Sequence, residues 1–321
     1  MATGVVGEWC RAALLLWLCC AGCHDAPPEG WGPPDGADGA AGLGRVQIVH
    51  LDVGAGDATL FIGPTGQAAL VDGGPDGAGA VVLAELERRG LERLRHLVAS
   101  HPDADHIGGL DEVAAAVAVD AAWGEGSQPQ TVAFAALADA LAGTAAGGLR
   151  LLDPGDRLAL GDGVELICTA SGGRLLDGSR VLVADDNDRS LGLLLRHGGF
   201  DYHVGGDLGA EVERALGPLL GDLDAVHLHH HGAAGSTCAA WLEVLRAEVA
   251  VLSVGPNPYD HPAGEVVARL RGQDPGLTVE PPAVFQTGSG ARDAGPVLGT
   301  FAIETDGVRY RLDDSWWEVD E

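Results

Sequence analysis

The sequence contains no lysine. Its 19 fixed positive side chains are therefore all arginine, set against 47 aspartates and glutamates, for a formal net charge of −28 over 321 residues. Such acidity argues against a broad basic face of the kind that grips nucleic acid. Cysteine is scarce outside the N-terminal segment: Cys10, Cys19, Cys20 and Cys23 lie within it, leaving only Cys168 and Cys238. Two thiols cannot build a disulfide scaffold, although they leave one bridge open. Past the N-terminus there is no run of about 18 or more apolar residues, so nothing there reads as a membrane span. The 50 glycines follow no fixed period, which excludes a collagen-like chain. No internal repeat of about 20–50 residues is visible. What is present, 46% hydrophobic and 21% charged residues, describes a chain able to form a core.

Residues 1–23 read as a targeting segment. Arg11 supplies a weak positive start, Ala12 to Leu18 a short apolar stretch, and Ala21-Gly22 precede Cys23, which resembles a bacterial lipoprotein box. Glu8 offsets Arg11, and Cys20 stands where that box usually carries Leu, so a cleaved secretory signal and a retained anchor stay open as alternatives. Residues 24–44 are rich in Pro, Gly and Asp without apolar periodicity, the composition of a flexible tether. The expectation is an exported protein, lipid-anchored at the cell envelope or else secreted. Its folded domain is expected at 45–313, followed by an acidic tail at 314–321.

In the body, Val46 to Val53, Ala58 to Ile62 and Ala68 to Val71 read as strands joined by Gly-rich turns, an antiparallel start to a sheet. A helix is predicted from Ala80 to Arg89 and a short buried strand from His96 to Ala99. Helix, strand and helix follow to about residue 142, then strand-like runs near 149–152, 164–169 and 180–183. A hairpin is expected at 191–204. Helices at 209–217, 237–246 and 263–271 alternate with strands at 225–229 and 249–254, and strands near 297–304 and 307–312 close the chain. Hairpins interleaved with helices predict an α/β fold, a four-layer αββα sandwich.

The densest chemical signal is His101-Pro102-Asp103-Ala104-Asp105-His106-Ile107-Gly108-Gly109, between a predicted buried strand and a helix. Four imidazole and carboxylate donors within six residues are a metal-ligand pattern. Asp207, after Gly205-Gly206, and His229-His230-His231-Gly232 also follow predicted strands, and strand ends along one sheet edge can converge.

The segments LDVGAGDATLFIGPTGQAALVDGG (51–74), LVASHPDADHIGGL (97–110), NDRSLGLLL (187–195), GGDLGAEVERAL (205–216), HHHGAAGST (229–237) and SVGPNPYDHP (253–262) together resemble the metallo-β-lactamase-fold hydrolases. Within that superfamily they resemble the soluble domain of ComEC-type DNA-uptake proteins. The resemblance implies that His101 and Asp103 ligate one metal and Asp105 and His106 a second, with Asp207 bridging and His231 as the late histidine ligand. His230 is implied beside the ligands as a catalytic residue, Asp72 as a buried acid ordering the metal loop, and Asn187, Ser190 and His261 as cleft residues. His261 is expected to move a proton on the substrate, with an unperturbed pKa near 6.5. The chain departs from the pattern at Ala55, where Gln is usual, and at Ala233, where Ser is usual. It also lacks a histidine ligand before Asp207, with His197 and His203 the nearest in sequence.

The implied activity is hydrolysis of phosphodiester or related ester bonds by one or two Zn²⁺ ions, with Mn²⁺ as the alternative, through a hydroxide shared between the metals. The acidic Asp103 in place of an imidazole hardens the site and suits Mn²⁺ as well as Zn²⁺. The net charge disfavours nucleic acid as the substrate. The alternative is a non-catalytic surface binding protein retaining the fold and a structural metal.

Overall fold

The computed structural model describes residues 43–319, so the expected signal and most of the tether lie outside the described residues. The first sheet starts with β1 (Val46–His50), β2 (Thr59–Ile62) and β3 (Ala68–Val71), antiparallel as the two short turns require. It continues through β4 (Arg93–Val98), β5 (Ala118–Gly124) and β6 (Leu149–Leu151), each parallel to its predecessor. The second sheet contains β7 (Arg157–Gly161), β8 (Val164–Ser171), β9 (Arg174–Leu175), β10 (Gly192–His197), β11 (Phe200–Val204), β12 (Ala225–His227), β13 (Val249–Leu252) and β14 (Ala283–Gln286). Strands β11 to β14 run parallel. The chain then returns to the first sheet as β15 (Phe301–Thr305), β16 (Arg309–Leu312) and β17 (Ser315–Glu318), with β15 pairing antiparallel to β1.

Period-two patterning decides which side chains face which layer. Ile48 of β1, Leu193 and Leu195 of β10, Phe200, Tyr202 and Val204 of β11, and Val249 and Val251 of β13 meet between the sheets. Their neighbours Val49, Leu194, Ala250 and Leu252 face outward onto helices. Helices α1 (Gly79–Arg88), α2 (Ala104–Ile107), α3 (Leu110–Ala116) and α4 (Val132–Ala142) follow first-sheet strands. Val82, Leu86, Leu110, Val113, Leu137 and Leu141 of these helices enter that sheet's outer core. Helices α5 (Ala210–Leu220), α6 (Ala239–Leu245) and α7 (Gly264–Leu270) cover the second sheet through Val212, Leu216, Trp241, Leu245, Val266 and Leu270. The architecture is the expected four-layer αββα sandwich.

Several boundaries differ from expectation. The run at 180–183 is not a strand; only Arg180 makes an isolated bridge, to Arg174. Strands β7 and β14 were not anticipated, although Leu158 and Leu160, and Val284 and Gln286, alternate inward. The sheet also continues past residue 313: β17 lies inside the stretch read as an acidic tail. There Trp317 stacks on Tyr310 at 5.4 Å and meets Phe285 edge-on, an aromatic contact that outweighs the flanking acids. The expected strand at 225–229 ends at His227, because residues 229–232 turn out of it. Cys168 is buried in β8 and Cys238 sits before α6; both are free thiols.

Candidate metal centre

The carboxyl ends of parallel strands from both sheets open along one edge, the usual location of ligand sites in such sheets. Asp72 leaves β3, His101 leaves β4, Asp207 follows β11, and His229–His231 follow β12. The loop 101–109 packs tightly on the turn after β3. A Cβ on Gly109 would lie 2.4 Å from the Gly73 carbonyl oxygen, which explains the Gly-Gly that ends the motif. His230 and His231 both adopt left-handed backbone (φ 53° and 52°), a strained pairing of order 1–3 kcal/mol each. The turn aims three consecutive imidazoles at three environments.

Hydrogen-bond accounting fixes the imidazoles. Asp72 accepts from the Ser100 backbone N–H (2.8 Å), the Ser100 hydroxyl (2.6 Å) and His106 Nδ1 (2.9 Å). With its proton committed to Asp72, Ser100 Oγ accepts from His101 Nδ1 at 3.1 Å. His231 Nδ1 donates to the Ser253 carbonyl at 3.0 Å. All three rings therefore turn Nε2 inward, and His101 Nε2, His106 Nε2, His231 Nε2 and Asp207 Oδ1 are buried without any hydrogen-bond partner. Outer partners that set a ring's tautomer in this way are typical of ligating histidines.

Asp207 stands between the rings. Its Oδ1 lies 3.2 Å from His106 Nε2 and 3.6 Å from His231 Nε2, while its Oδ2 lies 3.8 Å from His101 Nε2. Asp105 Oδ2 approaches His231 Nε2 at 3.5 Å, and Asp103 Oδ2 approaches His101 Nε2 at 3.7 Å from the rim, where it is half exposed. Donor atoms of His101, His106 and Asp207, and of Asp105, His106 and His231, each fall within 4.8 Å of one another. Inward-facing imidazole nitrogens without hydrogen-bond partners, set beside anionic oxygens, fit a divalent transition-metal ion. Of the six sequence-nominated ligands, His101, Asp105, His106, Asp207 and His231 fall in these groups, whereas Asp103 stands outside them, 3.7 Å from His101.

The charges are interlocked. Burial alone would lower the His106 and His231 pKa values. Asp207 with Asp72 outweighs burial at His106, and Asp207 with Asp57 at His231, so both stand well above 6.5. Burial would raise Asp207, but His106, His231 and His101 hold it well below the usual carboxylate range. Asp103 is lowered chiefly by its contact with His101; Asp105 is lowered by His231 and His106 against burial.

His230 sits at the mouth, 3.5 Å from Asp207 Oδ2 and 3.3 Å from the Asn187 amide nitrogen. His261 lies beside it, ring centroids 5.4 Å apart, with Nδ1 buried and unpartnered. Burial and the neighbouring His230 and His231 lower the His261 pKa below 6.5, so the expectation of an unperturbed value is corrected. Ser190 Oγ accepts the Asp207 backbone N–H at 3.3 Å. His203 contacts Thr169 inside β11 and β8, and His197 contacts the Gly44 carbonyl; neither joins the cluster.

Two buried acids escaped the sequence reading. Asp57, just before β2, has both oxygens buried and unpartnered behind the rings, 3.4 Å from His231 Nδ1 and 3.6 Å from His227 Nε2. Glu213 accepts from His229 Nδ1 (2.9 Å) and from the backbone N–H groups of Thr237 and Cys238 (2.7 and 2.8 Å). The available signals were a carboxylate abutting the apolar run Ala58 to Ile62, and a Glu on the stripe shared with Leu216 and Leu220.

A four-layer αββα sandwich carrying a histidine and aspartate cluster on its strand edge defines a metal-dependent hydrolase. The chain belongs to the metallo-beta-lactamase superfamily, whose family model matches residues 51–255. It is 28% identical to Recombination protein 2 of Haemophilus influenzae over 238 residues, 70% of this chain and 26% of that protein. It is 25% identical to ComE operon protein 3 of Bacillus subtilis over 251 residues, 70% of this chain and 30% of that one. The chain thus spans under a third of the length of these relatives. Among solved structures, a diphosphatase from the PhnP family aligns over 73% of this chain and 94% of its own, with a TM-score of 0.44 and 16% identity.

Proposed function

We propose that the protein hydrolyses phosphodiester or related ester bonds and resembles, in this activity, the soluble domain of ComEC-type proteins. The observation carrying the reading is the set of buried, unpartnered Nε2 atoms and Asp207 Oδ1 facing one another across the seam between the sheets. His101, Asp103 and Asp207 would hold one ion and Asp105, His106, His231 and Asp207 a second, Zn²⁺ by preference and Mn²⁺ as the harder alternative. A bound divalent ion supplies Lewis acidity that activates water and steadies negative charge on the reacting oxygens. Asp72, Ser100 and the Ser253 carbonyl keep the three rings in the ligating tautomer. His261, half-buried beside His230 with its pKa lowered by burial and the neighbouring imidazoles, is placed to move a proton between the attacking water and the leaving oxygen. His230, joined to Asn187, orients the substrate over Asp207.

Elemental analysis of the purified protein should find about one to two equivalents of Zn or Mn. Asp105→Ala should abolish hydrolysis of a phosphodiester panel with the fold intact. His261→Ala should lower turnover by about 10²–10⁴-fold at unchanged metal content. A protein that takes up no transition metal would overturn the reading.

The segment preceding residue 43 supports a location for this activity: lipid attachment at Cys23 and a tether at 24–44, holding the hydrolase at the cell envelope. Stable anchoring takes more than one acyl chain. Cys23→Ser should move the protein from the membrane fraction to the soluble fraction. Wild-type protein found wholly soluble and cleaved beyond residue 23 would make it a secreted hydrolase instead.

A further inference from the structure

A cavity of about 400 Å³ opens directly beside His101, on the same strand edge as the metal centre. Its size falls in the usual range of about 300–1,000 Å³ for small-molecule sites. Pro102, Ile107, Phe134, Leu149 and Leu151 supply apolar walls. The charged wall residues are committed elsewhere. The buried Glu125 carboxylate accepts from Arg189 Nη2 (3.1 Å), the Ser127 backbone N–H (3.2 Å) and the Ser127 hydroxyl. Arg150 lies over the Trp123 ring at 6.0 Å and donates to the Ala146 carbonyl. The opposite flank differs: a cavity of about 280 Å³ beside His230 is bordered by Asp185, Asp188 and Glu211. The His101 flank therefore combines apolar walls with polar groups that are largely paired, whereas the His230 flank is acidic.

We infer that the cavity beside His101 is the subsite for an uncharged, ring-sized apolar group attached next to the scissile bond, making the substrate a small apolar ester rather than a polyanionic strand. This rests on the hydrolase reading and narrows its substrate class. An apolar wall beside the reacting centre rewards each added carbon by desolvation. The acidic flank formed by Asp185, Asp188 and Glu211 repels further phosphates.

The test compares methyl and phenyl 4-nitrophenyl phosphate on the metal-loaded full chain. Wild type should favour the phenyl ester by about tenfold or more in kcat/KM. Ala138→Trp places an indole from the exposed face of α4 into the cavity and should bring the ratio toward one, whereas Ala135→Trp, on the same helix but outside the lining, should keep it. A second arm needs no turnover or metal: saturation-transfer NMR with benzyl alcohol on the chelator-treated chain should give a signal that Ala138→Trp abolishes. No phenyl preference in wild type, or a preference and NMR signal unchanged by Ala138→Trp, overturns the subsite. Absent turnover on both esters with the benzyl alcohol signal present overturns the phosphodiester reading and leaves the apolar site standing.

Discussion

Asp72 and His106 form a fixed pair: Oδ2 of the acid accepts from Nδ1 at 2.9 Å, which turns the far nitrogen toward Asp207 Oδ1 at 3.2 Å. Asp72 itself sits at the end of β3 with positive φ, outside the donor cluster around Asp207, and its influence is exerted through the ring and through Ser100.

Asp72→Asn is therefore expected to leave the sandwich folded but to weaken metal binding by about 10–100-fold. Competition with a chelator followed by elemental analysis reads the affinity. An unchanged affinity would show that His106 does not depend on this acid for its tautomer.

The linked charges predict how stability varies with pH in the metal-free protein. His106 and His231 are raised above 6.5, so their contribution is complete below about that pH and is lost as pH rises through their folded values. Asp207 is lowered, so its contribution is present above about 3.8 and is lost as pH falls through its folded value. The cluster should favour the apo fold most between about pH 4 and 6.5. Metal replaces the imidazole protons, so the rise in Tm on adding Zn²⁺ should grow from pH 6 to pH 8. Thermal unfolding with chelator and with Zn²⁺ across that range checks the sign; a Zn²⁺ effect that shrinks with pH contradicts it.

Glu213→Ala strips a buried acceptor from His229 and from two backbone N–H groups leading into α6. Leaving such buried donors without an acceptor costs about 1–3 kcal/mol. Urea unfolding should show a loss of that order, and Glu213→Gln, which retains one acceptor oxygen, a smaller one. Equal stability of the Ala variant and wild type would remove Glu213 from the structural framework.

Burial, with Asp156 and Asp153 nearby, pushes the Cys168 thiol up to about 12, and burial with Glu213 raises Cys238 as well. Neither should react appreciably with iodoacetamide at pH 8 in the folded protein, and both should react in denaturant. Mass spectrometry counts the adducts. Rapid native labelling of Cys168 would mean that β8 opens.

The layered architecture was legible because hairpin turns and period-two runs such as Val46 to Val53 are local signals. The motif from His101 to His106 was legible because its ligands lie adjacent in sequence. Asp57 was not, since its burial is imposed by rings arriving from residues 227 and 231, contacts that no window around residue 57 contains. Nor was the lowered pKa of His261, which follows from its placement against His230 and His231. The strand at Ser315–Glu318 was masked by its acids, and it pairs because Tyr310 and Phe285 wait for Trp317.

Ligand-bearing edges from both sheets meet at Asp207, so the order of synthesis matters. A chain emerging from its N-terminus presents His101 to His106 long before Asp207 and His231 exist to complete the cluster. The early half offers an acidic, incomplete grip, and full coordination waits until residue 231 is free to turn back toward β4. A complete donor set therefore exists only once the second sheet has closed on the first.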